Sequence, residues 1–105
     1  MDHRKVEGLK SFSQEKLNKV ALFSSERSMT DLYCVLPGQS QKPHVHEASD
    51  KVFYVISGKG TFTIGGEEAV LSPGELTIAR PGENHALANR GSEPLLVLVF
   101  MAPRP

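Results

Sequence analysis

The sequence predicts an all-β fold, either a sandwich or a barrel, over most of its 105 residues. From Val20 onward, short segments rich in β-branched and aromatic residues follow one another, which is typical of strands. Glycine and proline turns separate them roughly every 8–12 residues. The predicted strands lie within VALFSS, TDLYCVLP, KVFYVIS, TFTIGG, AVLSPG, LTIARPG, HALANRG and PLLVLVFM.

The segment ahead of the predicted strands is interpreted as an N-terminal extension, residues 1–19, followed by a single barrel domain, residues 20–105. Within SFSQEKLNKV, residues 11–20, Ser11 and Gln14 fit a capping box and QEKLNK contains good helix formers. A short helix is therefore one expectation for this segment, and extended structure is the other.

The turns and the last strand carry further information about the architecture. Gly65-Gly66 predicts a tight hairpin, because glycine adopts the positive φ angles that two-residue turns require. The segment 95–101 is apolar at every position, whereas a half-buried antiparallel strand would be polar on one face. This strand is therefore expected to be central between packed layers or to form part of a dimer interface.

Composition narrows the class of partner. Twelve basic and twelve acidic residues give zero formal charge, so no basic surplus predicts nucleic-acid binding and no net charge predicts attraction to a membrane. Cys34 is the only cysteine, which excludes an intramolecular disulfide. The N-terminal residues have no apolar core of a secretory signal, and the longest apolar run, 95–102, is too short to span a bilayer. The expected protein is cytoplasmic.

Three histidines are candidate metal ligands. His44 and His46 are two residues apart, so on a strand both side chains point to the same face. His85 follows a Pro-Gly turn at the start of another predicted strand and would complete a triad. Three neutral imidazoles leave positions open on a divalent transition metal, which suits a reactive site better than a closed structural one. His3, in the polar N-terminal tail, is assigned no role.

The spacing around these histidines is the most specific signal in the chain. Gly38 is followed after five residues by His44-Val45-His46, after four more by Lys51, and after six more by Gly58. Gly74 is followed after five residues by Arg80-Pro81-Gly82, after two more by His85, and after three more by Asn89. Both sets of intervals resemble the two motifs of the cupins, and the resemblance spans residues 38–89.

The resemblance, to small single-domain cupins of the conserved β-barrel type, implies a double-stranded β-helix, which is a jelly-roll barrel with a pocket in its mouth. It implies that His44, His46 and His85 bind a divalent metal such as iron, zinc, nickel or manganese. It also implies a homodimer. Two positions depart from the pattern, because Lys51 stands where the motif has a glutamate ligand and Arg80 replaces a turn proline.

Lys51 complicates the metal assignment, since a lysine ammonium about 6 Å from a divalent ion would be repelled by roughly 5 kcal/mol at an effective dielectric constant near 20. Four alternatives follow. Lys51 turns to solvent or the rim; it pairs with Asp50 or Glu47; it loses its proton and becomes a base or nucleophile; or no metal binds and the histidines line an organic pocket. Asp50 or Glu47 would also be the carboxylate that replaces the missing ligand, although alternation turns Asp50 away from the face of Lys51.

The pocket wall is expected to include Phe53 and Val55, which share the face of Lys51, although both positions equally fit a plain hydrophobic core. Cys34 is interpreted as a small buried hydrophobe. Three functions compete: a metal-dependent enzyme of the dioxygenase or isomerase type, a non-catalytic binder of a small molecule, and a metal-free, degenerate relative. The complete histidine triad favours the first, and the missing glutamate favours the others.

Overall fold

The computed structural model describes all 105 residues and confirms the all-β class, with nine strands and one turn of 3-10 helix at Val6–Leu9. The structure contains no helix that could span a lipid bilayer. The strands are β1 Asn18–Ser24, β2 Met29–Val35, β3 Ser40–His44, β4 Asp50–Ser57, β5 Gly60–Ile64, β6 Glu67–Leu71, β7 Leu76–Ala79, β8 His85–Ala88 and β9 Leu95–Ala102.

Two antiparallel sheets face each other. The larger has the order β1-β2-β9-β4-β7 and the smaller the order β3-β8-β5-β6. From β2 onward the chain crosses repeatedly between the sheets, so that β4, β7 and β9 belong to one sheet and β3, β5, β6 and β8 to the other. This winding is the predicted jelly-roll barrel, and it brings the starts and ends of distant strands together at one mouth.

The barrel interior is filled by the alternate residues of each strand. On the larger sheet, Phe53 pairs across to Val99 and Val55 to Val97, and all four side chains are buried. Phe62 and Leu87 face them from the smaller sheet and belong to the same hydrophobic cluster. The apolar C-terminal strand β9 lies between β2 and β4, in the middle of the larger sheet. Its inner face packs in the core, whereas Phe100 on its outer face is 42% exposed, so packed layers do not cover both faces.

The hairpin predicted at Gly65-Gly66 is confirmed. Ile64 pairs with Glu67, and the two glycines between them have φ angles of 56° and 92°. These are the angles of a two-residue turn whose twist matches that of the flanking strands.

The strand β3 was absent from the strands predicted by sequence, because SQKPH is polar and contains Pro43. Proline is tolerated there because β3 is an edge strand, bonded only to β8.

Of the two expectations for residues 11–20, a short helix or extended structure, the structure excludes the helix. Asn18 already belongs to β1, and the preceding residues are held by bonds to distant parts of the chain. The Ser11 N–H donates to Cys34 Sγ at 3.4 Å, and the Gln39 amide donates to the Ser13 carbonyl at 2.6 Å. These contacts, and the packing of Phe12 against the outer side of the larger sheet, outweigh a modest helix propensity. The division into an extension and a barrel stays a prediction.

Candidate metal centre

His85 is the most buried of the three predicted ligands. It opens β8, where alternation points it into the barrel together with Leu87, and only 2% of its surface is exposed. Its Nδ1 atom lies 3.0 Å from the carbonyl oxygen of Glu83. Since a carbonyl only accepts, Nδ1 carries the proton, and Nε2 presents its lone pair to the interior.

His44 lies at the end of β3, directly across from His85 in the smaller sheet. Its Nδ1 atom lies 3.0 Å from the carbonyl oxygen of Lys42, which fixes the same tautomer as in His85. His46 lies beyond the end of the strand, so the expectation that both histidines of the pair belong to one strand is wrong. Its backbone carbonyl accepts a 2.9 Å hydrogen bond from the Gly82 N–H, which ties it to the turn before β8.

The three imidazoles converge in spite of this difference. One ring nitrogen from each lies within 4.8 Å of the others. The Nε2 atoms of His44 and His85 are 3.0 Å apart. Both rings use Nδ1 as the donor, so the lone pairs of the two Nε2 atoms face and repel each other. Only a shared proton or a bound cation removes this repulsion. The donor set therefore fits a divalent transition metal, with the carbonyl bonds orienting two of the three ligands.

The protonation states also suit metal binding. Burial, followed by smaller effects that include the nearby Lys51, lowers the pKa of His85 to about 4. Burial is also the first cause that lowers the pKa of His44 and His46 below the usual value. All three rings are consequently neutral near pH 7, which is the form that binds a metal.

Lys51 is buried inside the barrel. Only 1% of its surface is exposed, and its Nζ atom lies 5.0 Å from the ring centre of Phe53 and 5.4 Å from that of Tyr33. Burial, and then repulsion by Lys19, lowers the pKa of Lys51 to about 8. Of the four alternatives, a side chain turned to solvent is excluded.

The neighbouring carboxylates do not reach the site. Asp50 and Glu47 are exposed, and neither belongs to the cluster of potential metal ligands. The single ion pair of the chain joins Arg90 to Glu68 at its surface, so Lys51 pairs with neither carboxylate. Replacement of the missing glutamate by Asp50 or Glu47 is therefore wrong, and the triad consists of histidines alone.

The two other candidate pocket residues differ in position. The Phe53 ring lies 6.0 Å from the ring of His85 and 5.4 Å from that of Phe62, so it separates the histidines from the hydrophobic core. Val55 is fully buried within the core cluster, two residues deeper on the same strand. Phe53 thus adjoins the histidines, whereas Val55 lies within the core.

Two polar residues of β2 share this interior, and the sequence analysis assigned neither of them to the site. Asp31 and Tyr33 are 5% and 1% exposed, and they alternate with Leu32 and Cys34 on the opposite face. Burial raises the pKa of Tyr33 to about 12, so its hydroxyl keeps its proton. The side-chain oxygen of Gln41, buried nearby, has no hydrogen-bond partner. Strand alternation counted back from Val35 would have placed Asp31 and Tyr33 inside the barrel.

The largest groove, about 670 Å³, is a separate feature. It lies along β3, β8 and β5, and its walls include Ser40, Thr61, Thr63 and Ala88, which alternate with the inward residues of those strands. His85 is the only member of the triad on its lining. It is therefore not the space that the three imidazoles enclose.

The Cupin domain family matches residues 31–101. A crystal structure of TT1209 from Thermus thermophilus is 45% identical and superposes with a TM-score of 0.97 over all of both chains. The tetracenomycin polyketide synthase protein TcmJ from Streptomyces glaucescens is 38% identical over 66% of this chain and 48% of its own length. An oxalate-binding protein from Thermotoga maritima is 29% identical over 62% of this chain and 54% of its own length. The chain thus spans about half the length of these two curated relatives.

Proposed function

Because the chain belongs to the cupin family, we propose that it holds one divalent transition metal ion through His44, His46 and His85 and uses this ion to bind a small organic molecule. The observation that carries the proposal is the 3.0 Å approach of the Nε2 atoms of His44 and His85, whose Nδ1 atoms both face carbonyl oxygens. A cation bound by the third imidazole as well turns this repulsive contact into ligation.

The metal would polarise an oxygen atom of the bound molecule or, if it is redox-active, support oxygen chemistry. Iron, zinc, nickel and manganese all accept imidazole ligands, with intrinsic affinities rising from manganese to nickel. Three neutral imidazoles and no carboxylate leave the full positive charge on the ion. The chain itself orients two ligands through backbone carbonyls, and Phe53 closes the inner side of the site against the core.

Two kinds of activity fit this site. The first is a metal-dependent enzyme of the dioxygenase or isomerase type, supported by the open coordination positions that a triad leaves. The second is non-catalytic binding of a small molecule, and the relative named as an oxalate-binding protein supports it. A metal-free relative, in which the histidines only line a pocket, is the outcome that the following experiment would reveal.

Elemental analysis of protein purified without a metal-affinity column tests the proposal. We expect about one transition metal per chain, lost in the double variant His44→Ala, His85→Ala and kept in His3→Ala, the matched control outside the site. Protein that stays metal-free after incubation with iron, zinc, nickel and manganese, each added separately, would overturn the assignment.

We also propose that the protein is a homodimer formed through the outer face of its larger sheet. Tyr54, Leu76 and Phe100 on this face are 39%, 55% and 42% exposed. Val52 and Leu98 adjoin them across the strand pairs and make the apolar face continuous.

Light scattering of the wild type should give a dimer and that of Phe100→Asp a monomer, with Val70→Asp on β6 as the control. A monomeric wild type would contradict this. The cytoplasmic location stays a prediction.

A further inference from the structure

Lys51 is a charged side chain without a counterion. Only 1% of its surface is exposed, and it forms neither a hydrogen bond nor an ion pair with another residue. Lysine is almost never fully buried unless it is paired, because its ammonium loses hydration that nothing in the protein replaces. Two aromatic faces, those of Tyr33 and Phe53, offer it only cation–π attraction.

Asp31 is the one buried carboxyl group near enough to be considered as its partner. It stands on β2, with β9 between it and β4, and it makes no contact with Lys51 within ion-pair distance. Burial raises the pKa of Asp31 in spite of the opposing attraction of Lys19 and Lys51. Contact with an ammonium would instead lower the pKa of a carboxyl group, so Asp31 does not neutralise the charge of Lys51.

The polar interior around Lys51 therefore favours negative charge. Lys19 lies 5.1 Å from the other ring partner, Tyr33, and adds a second positive charge at the edge of the same region. The neutral Tyr33 hydroxyl and the Gln41 side chain, whose oxygen has no partner, supply hydrogen-bonding groups without charge. With two lysines, one carboxyl group and neutral histidines, the region attracts an anion even before any metal is counted.

Lys51 and the histidines are close enough to act on one molecule. The Phe53 ring centre lies 5.0 Å from the Lys51 Nζ atom and 6.0 Å from the centre of the His85 ring, so both groups adjoin the same ring. A molecule of a few heavy atoms lying against Phe53 therefore reaches both. A larger ligand would have to displace the buried side chains that surround this ring.

We propose that the barrel interior is a binding site for small carboxylates, in which the Lys51 ammonium pairs with one carboxylate and the histidine end of the site receives the other oxygen-bearing group. Lys51 is the residue that selects anionic over neutral ligands. Binding of the second group through a metal rests on the proposed function, whereas the pairing with Lys51 does not.

Calorimetric titration with oxalate at pH 7 tests this, using chelator-stripped protein and protein loaded with zinc. Oxamide, the neutral diamide of similar shape, serves as the matched control ligand. We expect oxalate to bind and oxamide to bind at least tenfold more weakly. Lys51→Met should lose about 10- to 100-fold in oxalate affinity, the range of a charge-assisted hydrogen bond. Lys59→Met, an exposed lysine on the β4–β5 turn, should bind as the wild type does.

The outcomes separate the two proposals. If stripped protein takes up no metal but binds oxalate in a Lys51-dependent way, the metal assignment fails and the carboxylate site stands. If Lys51→Met, shown by circular dichroism to be folded, binds oxalate as tightly as the wild type, the inference is overturned. Lys51→Gln provides a second test should the methionine variant fail to fold. Absence of oxalate binding to both wild-type forms at millimolar concentration would also overturn it.

Discussion

The two ends of the barrel interior are built from the same strands but differ in chemistry. Along β2 the inward residues run from Asp31 through Tyr33 to Val35, and along β4 from Lys51 to Val55. The end containing Val35 and Val55 is apolar and fully buried, whereas the other end holds buried polar groups beside the histidines. One end therefore stabilises the barrel, whereas the buried polar groups of the other end lower its stability and form the proposed binding site.

The apolar end that contains Val35 and Val55, which we call the closed end, is so closely packed that two of its glycines have no room for a Cβ atom. A Cβ atom on Gly60 would lie 2.7 Å from the Phe62 ring, and one on Gly58 would lie 2.3 Å from the Pro94 carbonyl oxygen. Leu95 lies between these glycines and the core cluster, with no exposed surface. Such packing leaves no room for an added side chain at either glycine, whereas the proposed ligand site lies at the histidine end.

The largest effect is expected from Leu95→Ala at the closed end. Removing a fully buried leucine side chain should lower the free energy of unfolding by about 2–5 kcal/mol. Urea denaturation measures the change, and Val70→Ala, at an exposed position outside the proposed dimer face, should alter it far less. If the metal content per folded chain fell as well, the two ends would not be independent. The division of the barrel into a stabilising end and a binding end would then be contradicted.

The next largest loss of stability is expected from Gly58→Ala. Backbone strain and a steric collision both contribute, and the control variant Gly74→Ala separates them. Gly58 has a φ angle of 78° and a new Cβ atom would collide with Pro94, whereas Gly74 has a φ angle of 88° and free space around it. Gly74→Ala should therefore cost only the conformational strain, about 1–2 kcal/mol. Gly58→Ala should cost clearly more in the same denaturation assay. Equal losses would show that the β9 start yields to the added atom.

Lys51→Met should stabilise the ligand-free protein, which sharpens the contrast between the two ends. The pKa of Lys51 falls from 10.5 to about 8 on folding, so between these values the unfolded chain binds more protons. Wild-type stability should rise from pH 8 to 10.5, and below pH 8 the buried ammonium should cost about 3 kcal/mol. Thermal unfolding of chelator-treated protein checks this. The variant should lack the rise, and a parallel rise in both proteins would contradict the burial of this charge.

The smallest effect on stability is expected from His46→Ala. Its side chain is only partly buried and makes no hydrogen bond, so the free energy of unfolding without metal should change by no more than about 0.5 kcal/mol. Metal affinity should nevertheless fall at least tenfold, since two imidazoles remain. Metal titration followed by denaturation of the stripped protein measures both quantities. A large loss of stability without metal would assign His46 a packing role instead.

The amino-acid sequence alone predicts the all-β class, the Gly65-Gly66 hairpin and an apolar last strand. These features follow from local patterns, namely β-branched residues, turn glycines and an apolar run without a polar face. The spacing around His44 and His85 also identified the family, although it did not establish the metal. The edge strand β3 escaped detection because its residues are polar and include Pro43.

How the site is assembled depends on the tertiary structure. His44 and His85 are 41 residues apart, and the tautomers that aim their Nε2 atoms at each other depend on carbonyls whose positions the fold sets. The burial of Lys51 likewise follows from the tertiary structure and not from the local sequence. Local alternation gives the face of a residue but not what covers that face, because a partner across the barrel comes from a distant part of the chain. Alternation along β2 places Asp31 inside the barrel, but only the tertiary structure shows that it shares this interior with Lys51.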